Sequence, residues 1–190
     1  NKTNLKHCPA QALSSVFRPY ACYDSHNLTA ASQYYTKNII LVSLMGTPDD
    51  LGNEDCLFCR IVNNQTDTEI LLSDDELVCF RDTKPGATHH YLVVSRTHIN
   101  NCKTLQADRI PLVERMEEMG RRILKKNKVS DLNDVRMGFH VPPFSSVPHL
   151  HLHALAPATT MNSRSQLRYG PQSCWFIPIM LIGCMCQWGH

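Results

Sequence analysis

The run His149-Leu150-His151-Leu152-His153-Ala154-Leu155 sets three imidazoles at strict two-residue spacing. On a β-strand alternate side chains share one face. All three histidines then point one way, while Leu150, Leu152 and Ala154 point into a core. Histidine is the side chain whose ordinary pKa lies nearest neutrality, so it serves as nucleophile, acid, base or phosphate ligand at cellular pH. The rival is a metal site. Cα atoms at i and i+4 on a strand lie roughly 13 Å apart, at about 3.3 Å per residue. One ion therefore cannot easily take all three rings from a regular strand. It could take an adjacent pair, or one ring with ligands from elsewhere.

Upstream, Ile70-Leu71-Leu72 and Leu77–Phe80 read as strands around a turn at Ser73-Asp74-Asp75, and Tyr91–Val94 as another entered after Lys84-Pro85-Gly86. Thr104–Asn127 reads as a long helix, with Leu112, Met116, Met119 and Ile123 forming an apolar stripe. Val135–Val141 is a strand, and Pro148 introduces the histidine strand. Strands, one long helix, then strands again predict an α+β fold with an antiparallel sheet. Residues 1–53 show no sustained period and are expected to form a disordered extension. Residues 178–190 are apolar and Cys-rich without helical period, an atypical tail.

The 190 residues are 43% hydrophobic and 19% charged, which suits one soluble domain with extensions. A net charge of +2 makes no case for nucleic-acid binding through a general field. There is no run of 18 apolar residues, so no membrane span is expected. Nine scattered cysteines fit reduced thiols better than a disulfide framework, and no export signal stands out. The expectation is a cytoplasmic chain, with the nucleus also open to it.

The histidine run resembles the His-φ-His-φ-His-φ-φ signature (φ apolar) of the histidine triad (HIT) family. Cys56-Leu57-Phe58-Cys59-Arg60-Ile61 is similar to that family's N-terminal segment. Leu77–Pro85 is similar to its strand and turn ending in Asp-x-x-Pro, and His89–Ile99 to its His-x-Leu-Val stretch. Order and spacing match from about residue 54 to 177, the expected domain. The pattern is nearest to the Hint branch, and Arg136–Phe144 is also similar to the aprataxin branch. The resemblance implies a five-stranded antiparallel sheet with helices, paired into a homodimer or a higher homo-oligomer.

It also implies a site. His151 would be the nucleophile, with His149 and His153 flanking it and His90 against the triad. His153 would contact the α-phosphate, and His149 would position the nucleophile or bind metal. Asp82, with Thr83 beside it, would take the ribose hydroxyls. Leu57, Phe58, Ile61 and Phe80 would wall a purine ring. Ser145 and Ser146 stand where the family contacts phosphate and leaving group. One departure is Met137-Gly138-Phe139-His140, where relatives carry Val-Asn-Glu-Gly. His140 is then the candidate for the phosphate contact of the missing Asn. The resemblance implies that catalysis by this chain requires no cofactor. Some members hold one structural zinc, and their four ligands correspond here to Cys56, Cys59, His98 and His149, a set suited to tetrahedral Zn²⁺.

These residues suit nucleotidyl transfer to water through a covalent nucleotidyl-histidine. The implied substrates are purine nucleotide conjugates, adenosine 5′-phosphoramidates and acyl-adenylates cleaved to AMP. Three other readings remain. A dinucleotide polyphosphate hydrolase is disfavoured by serines where a Gln would precede the triad. Removal of AMP from DNA ends would need a zinc finger after the triad. A binding or scaffold protein would hold AMP without forming an adduct.

Overall fold

A computed structural model describes residues 55–171 and 173–182. The extension expected over 1–53 lies outside the described residues, as do residues 183–190 of the tail. Chain contacts separate Asn1–Glu54 from Asp55–His190, and the described elements belong to the second unit.

The elements run in the order α1 (Leu57–Val62), β1 (Ile70–Ser73), β2 (Leu77–Arg81), β3 (His89–Ser95), α2 (Ile110–Lys126), β4 (Arg136–His140), β5 (His151–Ala156), α3 (Ser163–Tyr169) and β6 (Phe176–Pro178). The strands form one antiparallel sheet in the order β1-β2-β3-β5-β4-β6. The α+β class expected from the sequence is the class found. The strand count is six rather than five. The sixth is β6, whose Phe176, Ile177 and Pro178 pair with His140, Phe139 and Gly138. Three residues between turns carry too little pattern to be read as a strand in sequence. The packed region also runs past residue 177, because Ile179 and Ile182 are buried in the main core.

The long helix starts at Ile110 rather than at the expected Thr104. Two 3₁₀ turns, Cys102–Thr104 and Ala107–Arg109, precede it. Asn101 caps the first, its side chain accepting from the Lys103 amide at 2.9 Å. Pro111 lacks an N–H, which costs nothing in the first turn of the helix that begins at Ile110. At its far end the Asn127 side chain donates to the Ile123 carbonyl, and Lys128 takes φ 63, a left-handed residue that stops the helix. Val113, Met116, Met119, Ile123 and Leu124 are buried against one face of the sheet, packed with Tyr91, Val93, Leu152 and Ala154. On its solvent side Glu117 and Arg121, one turn apart, pair at 2.7 Å.

The other face carries the histidines, and it is covered too. Phe58, Cys59, Ile61 and Val62 of α1 pack with Val78, Phe80, Leu92 and Val94. Tyr169 of α3 packs with Phe176 and Leu155. Every residue of β5 is consequently buried, His151 and His153 included. The strand thus carries imidazoles inside a protein layer, not on an open surface.

Candidate active site

His151 and His153 sit on β5 between β3 and β4, opposite Val94 and Leu92 on one side. Gly138 lies opposite His153 on the other. His149 precedes the strand, which starts at His151. The three imidazoles therefore do not lie on one regular strand, and His149 is free to turn elsewhere.

Hydrogen bonds fix a proton arrangement around the pair. The Gly86 amide donates to Nδ1 of His90 at 3.0 Å, so that nitrogen holds a lone pair. Burial pushes His90 down to about 3, so the ring is neutral near pH 7 and its proton is on Nε2. Nε2 lies 2.9 Å from Nδ1 of His153 and 3.4 Å from a carboxylate oxygen of Asp82. His153 must then accept at Nδ1 and carry its own proton on Nε2. Burial and the neighbouring imidazoles hold His153 well below the ordinary histidine value. Its Nε2 is buried with no hydrogen-bond partner among the described residues. A buried N–H without an acceptor is rare in native folds, and this one is able to donate to an anionic group.

His151 is fixed in the opposite sense. Its Nδ1–H donates to the His149 carbonyl at 2.5 Å, which leaves Nε2 with the lone pair. Burial lowers its pKa, keeping the ring neutral. Phe58 packs edge-on against it, ring centres 5.0 Å apart. His151 thus offers a lone pair and His153 a proton, on rings whose centres are 5.0 Å apart.

Asp82 stands at the end of β2, one oxygen accepting from the Lys84 amide at 2.7 Å and the other facing His90. Burial raises its carboxyl above the ordinary value, opposed by that amide and the nearby imidazoles. Thr83 is exposed in the turn beyond it. Of the apolar residues expected around a purine, Phe58, Ile61 and Phe80 are 6%, 5% and 3% exposed and pack on one another. Leu57 is 48% exposed and is the one with free apolar surface. The Ser145 hydroxyl donates to the Val147 carbonyl at 3.0 Å, inside its own loop, and Ser146 is exposed.

His140 does not behave as a direct replacement for an amide side chain. Its Nδ1–H donates to the Trp175 carbonyl at 3.0 Å. Burial lowers its pKa, and the neutral ring then has only an acceptor left at Nε2. It packs edge-on against His153, ring centres 4.7 Å apart.

Several residues at the site escape sequence reading. Tyr169 lies within 5.1–5.4 Å of the rings of His90, His140 and His153. Burial and the Asp82 carboxylate push its hydroxyl up to about 12. Arg168 beside it contributes positive charge felt at Asp82, His140 and His153. The short α3 that carries them has no long apolar period. Gly86 was visible only as a turn residue. A Cβ there would lie 2.7 Å from the Tyr169 ring, so glycine lets the amide reach His90.

A second cluster adjoins the site. Cys56, Cys59, His98 and His149 bring one donor atom each within 4.8 Å of one another. Cys59 Sγ is 3.2 Å from His98 Nδ1, and His149 Nδ1 is 3.4 Å and 3.5 Å from the two sulfurs. A tetrahedron with Zn–S of about 2.3 Å and Zn–N of about 2.0–2.1 Å has S···N edges of roughly 3.5 Å. The outer nitrogens fit as well. His149 Nε2–H donates to the Ser95 carbonyl at 2.8 Å and His98 Nε2–H to Asn100 at 3.2 Å, leaving both Nδ1 lone pairs directed inward.

Residues 55–169 match the family model described as scavenger mRNA decapping enzyme C-term binding. The chain is 53% identical over 123 residues to adenosine 5′-monophosphoramidase HINT3 of Xenopus tropicalis, covering 64% of this chain and 80% of that one. It is 44% identical over 149 residues to the Mus musculus protein of the same name, covering 72% and 90%. Among solved structures, a HIT family hydrolase from Legionella pneumophila Philadelphia 1 superposes with a TM-score of 0.51 at 26% identity, covering 54% of this chain and 92% of that one. The chain belongs to the histidine triad (HIT) superfamily.

Proposed function

We propose that this chain is a hydrolase of purine nucleotide conjugates, cleaving adenosine 5′-phosphoramidates, and acyl-adenylates by the same route, to AMP. The observation that carries this reading is the opposed tautomers of His151 and His153. A lone pair at His151 Nε2 and an unpartnered N–H at His153 Nε2 are what an α-phosphoryl group needs on its two sides. The names of the vertebrate relatives support it.

In the first step His151 Nε2 attacks the α-phosphorus and the P–N bond breaks. The amine leaves with the bonding electron pair and takes up a proton from solvent. His153 Nε2–H bonds a phosphoryl oxygen as negative charge gathers there. The nucleotidyl-imidazolium so formed is a good leaving group, its Nδ1–H held by the His149 carbonyl. Water then attacks phosphorus, AMP departs, the water's proton goes to bulk, and neutral His151 is restored. Asp82 holds the ribose hydroxyls, with Leu57 as an apolar contact for the base. The sulfurs of Cys56 and Cys59 and the Nδ1 atoms of His98 and His149 would hold a structural zinc ion. Zinc would crosslink α1 to the entrance of β5 and supply no chemistry to the reaction.

The test is AMP release from adenosine 5′-phosphoramidate by the native chain and by His151→Ala. Native turnover with a fall of at least about 10³-fold in the variant is expected. Equal rates in both, or AMP binding without turnover in either, overturn the reading.

A further inference from the structure

His149 is drawn by its position in the triad toward the reaction, yet its ring has nothing left to offer a substrate. Nδ1 faces the two sulfurs at 3.4 and 3.5 Å, and Nε2–H is spent on the Ser95 carbonyl. His149 as a whole is 1% exposed. What His149 gives the site is its backbone carbonyl, the acceptor that fixes the tautomer of His151.

We infer that His149 is a positioning residue that links the Cys56–Cys59–His98–His149 cluster to the nucleophile, so that a divalent cation in the cluster sets how firmly His151 is held. The inference rests on the zinc reading proposed above and goes beyond it, because it makes the ion's presence matter to the reaction.

Two features place the linkage in these residues. First, His149 lies before β5, so the β3 and β4 ladders do not hold it. Its amide donates to Val147 two residues away, and the next amide, Leu150, donates to Ile99 at 2.6 Å. The peptide plane that carries the His149 carbonyl is thus held on one side by Ile99, the residue next to His98 of the cluster, and on the other by the His149 side chain. Second, Phe58 lies one residue from Cys59 and packs edge-on against both His149, at 6.0 Å, and His151, at 5.0 Å. An ion that draws Cys56, Cys59, His98 and His149 together fixes the carbonyl of His149 and the Phe58 wall in one action. Without it, the thiols and imidazoles keep only weak S–H···N contacts, and the carbonyl is freer to tilt away from Nδ1 of His151.

The experiment uses the full chain purified with Zn²⁺ and the same chain stripped by chelation, with zinc per chain measured first. Imidazole ¹H–¹⁵N correlation spectra then report the His151 tautomer, and single-turnover kinetics report transfer to it. The expected result is one zinc per loaded chain and a single Nδ1–H form of His151. The stripped chain should give a mixture of tautomers. Its rate of transfer should fall by about 10-fold or more with KM nearly unchanged, the size typical of losing an outer-sphere support. Should stripping unfold the chain, Cd²⁺ replaces Zn²⁺. Its longer bonds to sulfur should shift the His151 Nδ1–H signal in a folded protein. Identical tautomer spectra and rates in loaded and stripped chains, or an unmoved signal with Cd²⁺, would overturn the linkage while leaving the zinc reading intact. No zinc in the native chain overturns both. Because the tautomer is read without substrate, failure to cleave phosphoramidates would leave this test standing.

Discussion

Nε2 of His90 lies 2.9 Å from Nδ1 of His153, and the Gly86 amide behind His90 allows only one direction for the proton between them. His90 therefore acts on the substrate through His153. Replacing His90 with Phe removes the donor and frees His153 to turn its lone pair toward the phosphate. A fall in kcat of about 10- to 100-fold is expected. His90→Asn, whose amide can still donate, should recover part of it. Equal losses in both variants would mean that His90 serves packing alone.

Asp82 should discriminate between sugars. A carboxylate accepting from two hydroxyls contributes about 1.5–3 kcal/mol per charged hydrogen bond. The native chain should therefore prefer an adenosine phosphoramidate over its 2′,3′-dideoxy analogue by more than about tenfold in kcat/KM. Asp82→Asn should narrow that preference. An unchanged ratio would remove Asp82 from the ribose site and leave it only its contact with His90 at 3.4 Å.

Gly138 should not tolerate a methyl group. It pairs with His153 on one side and Pro178 on the other, and a Cβ there would meet the Ile177 carbonyl oxygen and lie 2.7 Å from the Phe176 ring. Gly138→Ala should destabilise the chain by about 1–3 kcal/mol, read as a lower urea midpoint. A midpoint equal to that of the native chain would show that β6 does not close against β4 as described.

Stability should fall in mild acid. His90 is held down to about 3 and His149 to about 4, and His140, His151 and His153 are also lowered by burial. Between those values and the unfolded value near 6.5, the unfolded chain binds protons that the folded chain refuses. Stability therefore rises with pH across that window, by up to about 1.4 kcal/mol per pH unit for each such group. The effect is lost above it, where both states are neutral. Asp82, whose pKa is raised, works in the opposite direction near its own value, but as a single group. Thermal unfolding should show a Tm falling steadily from pH 7 to pH 5, and a flat Tm over that range would contradict the buried, neutral state of the histidines.

The sheet and long helix were legible because they follow simple periods. Alternation marked β5, and the 4-3-4 spacing of Leu112, Met116, Met119 and Ile123 marked α2. The residues that complete the site were not, because they act through contacts no local pattern records. Tyr169 and Phe176 reach the triad from a seven-residue helix and a three-residue strand. The departure of His149 from the other two histidines was hidden for a related reason. Alternation continues through residue 149, while the strand begins at His151. His140 was legible as a difference, but its role depends on which nitrogen the Trp175 carbonyl takes.

The proposed hydrolysis passes through a covalent bond between AMP and His151, and that bond can be trapped. The native chain would be mixed with excess adenosine 5′-phosphoramidate and quenched within the first turnover in alkaline denaturant, where phosphorus–nitrogen bonds of this type persist. Peptide mass spectrometry would then locate any adenylyl group. One adenylyl group on the peptide at His151, absent when that residue is Ala, is the predicted result. Turnover with no adduct at His151, or with the group on another residue, would contradict it.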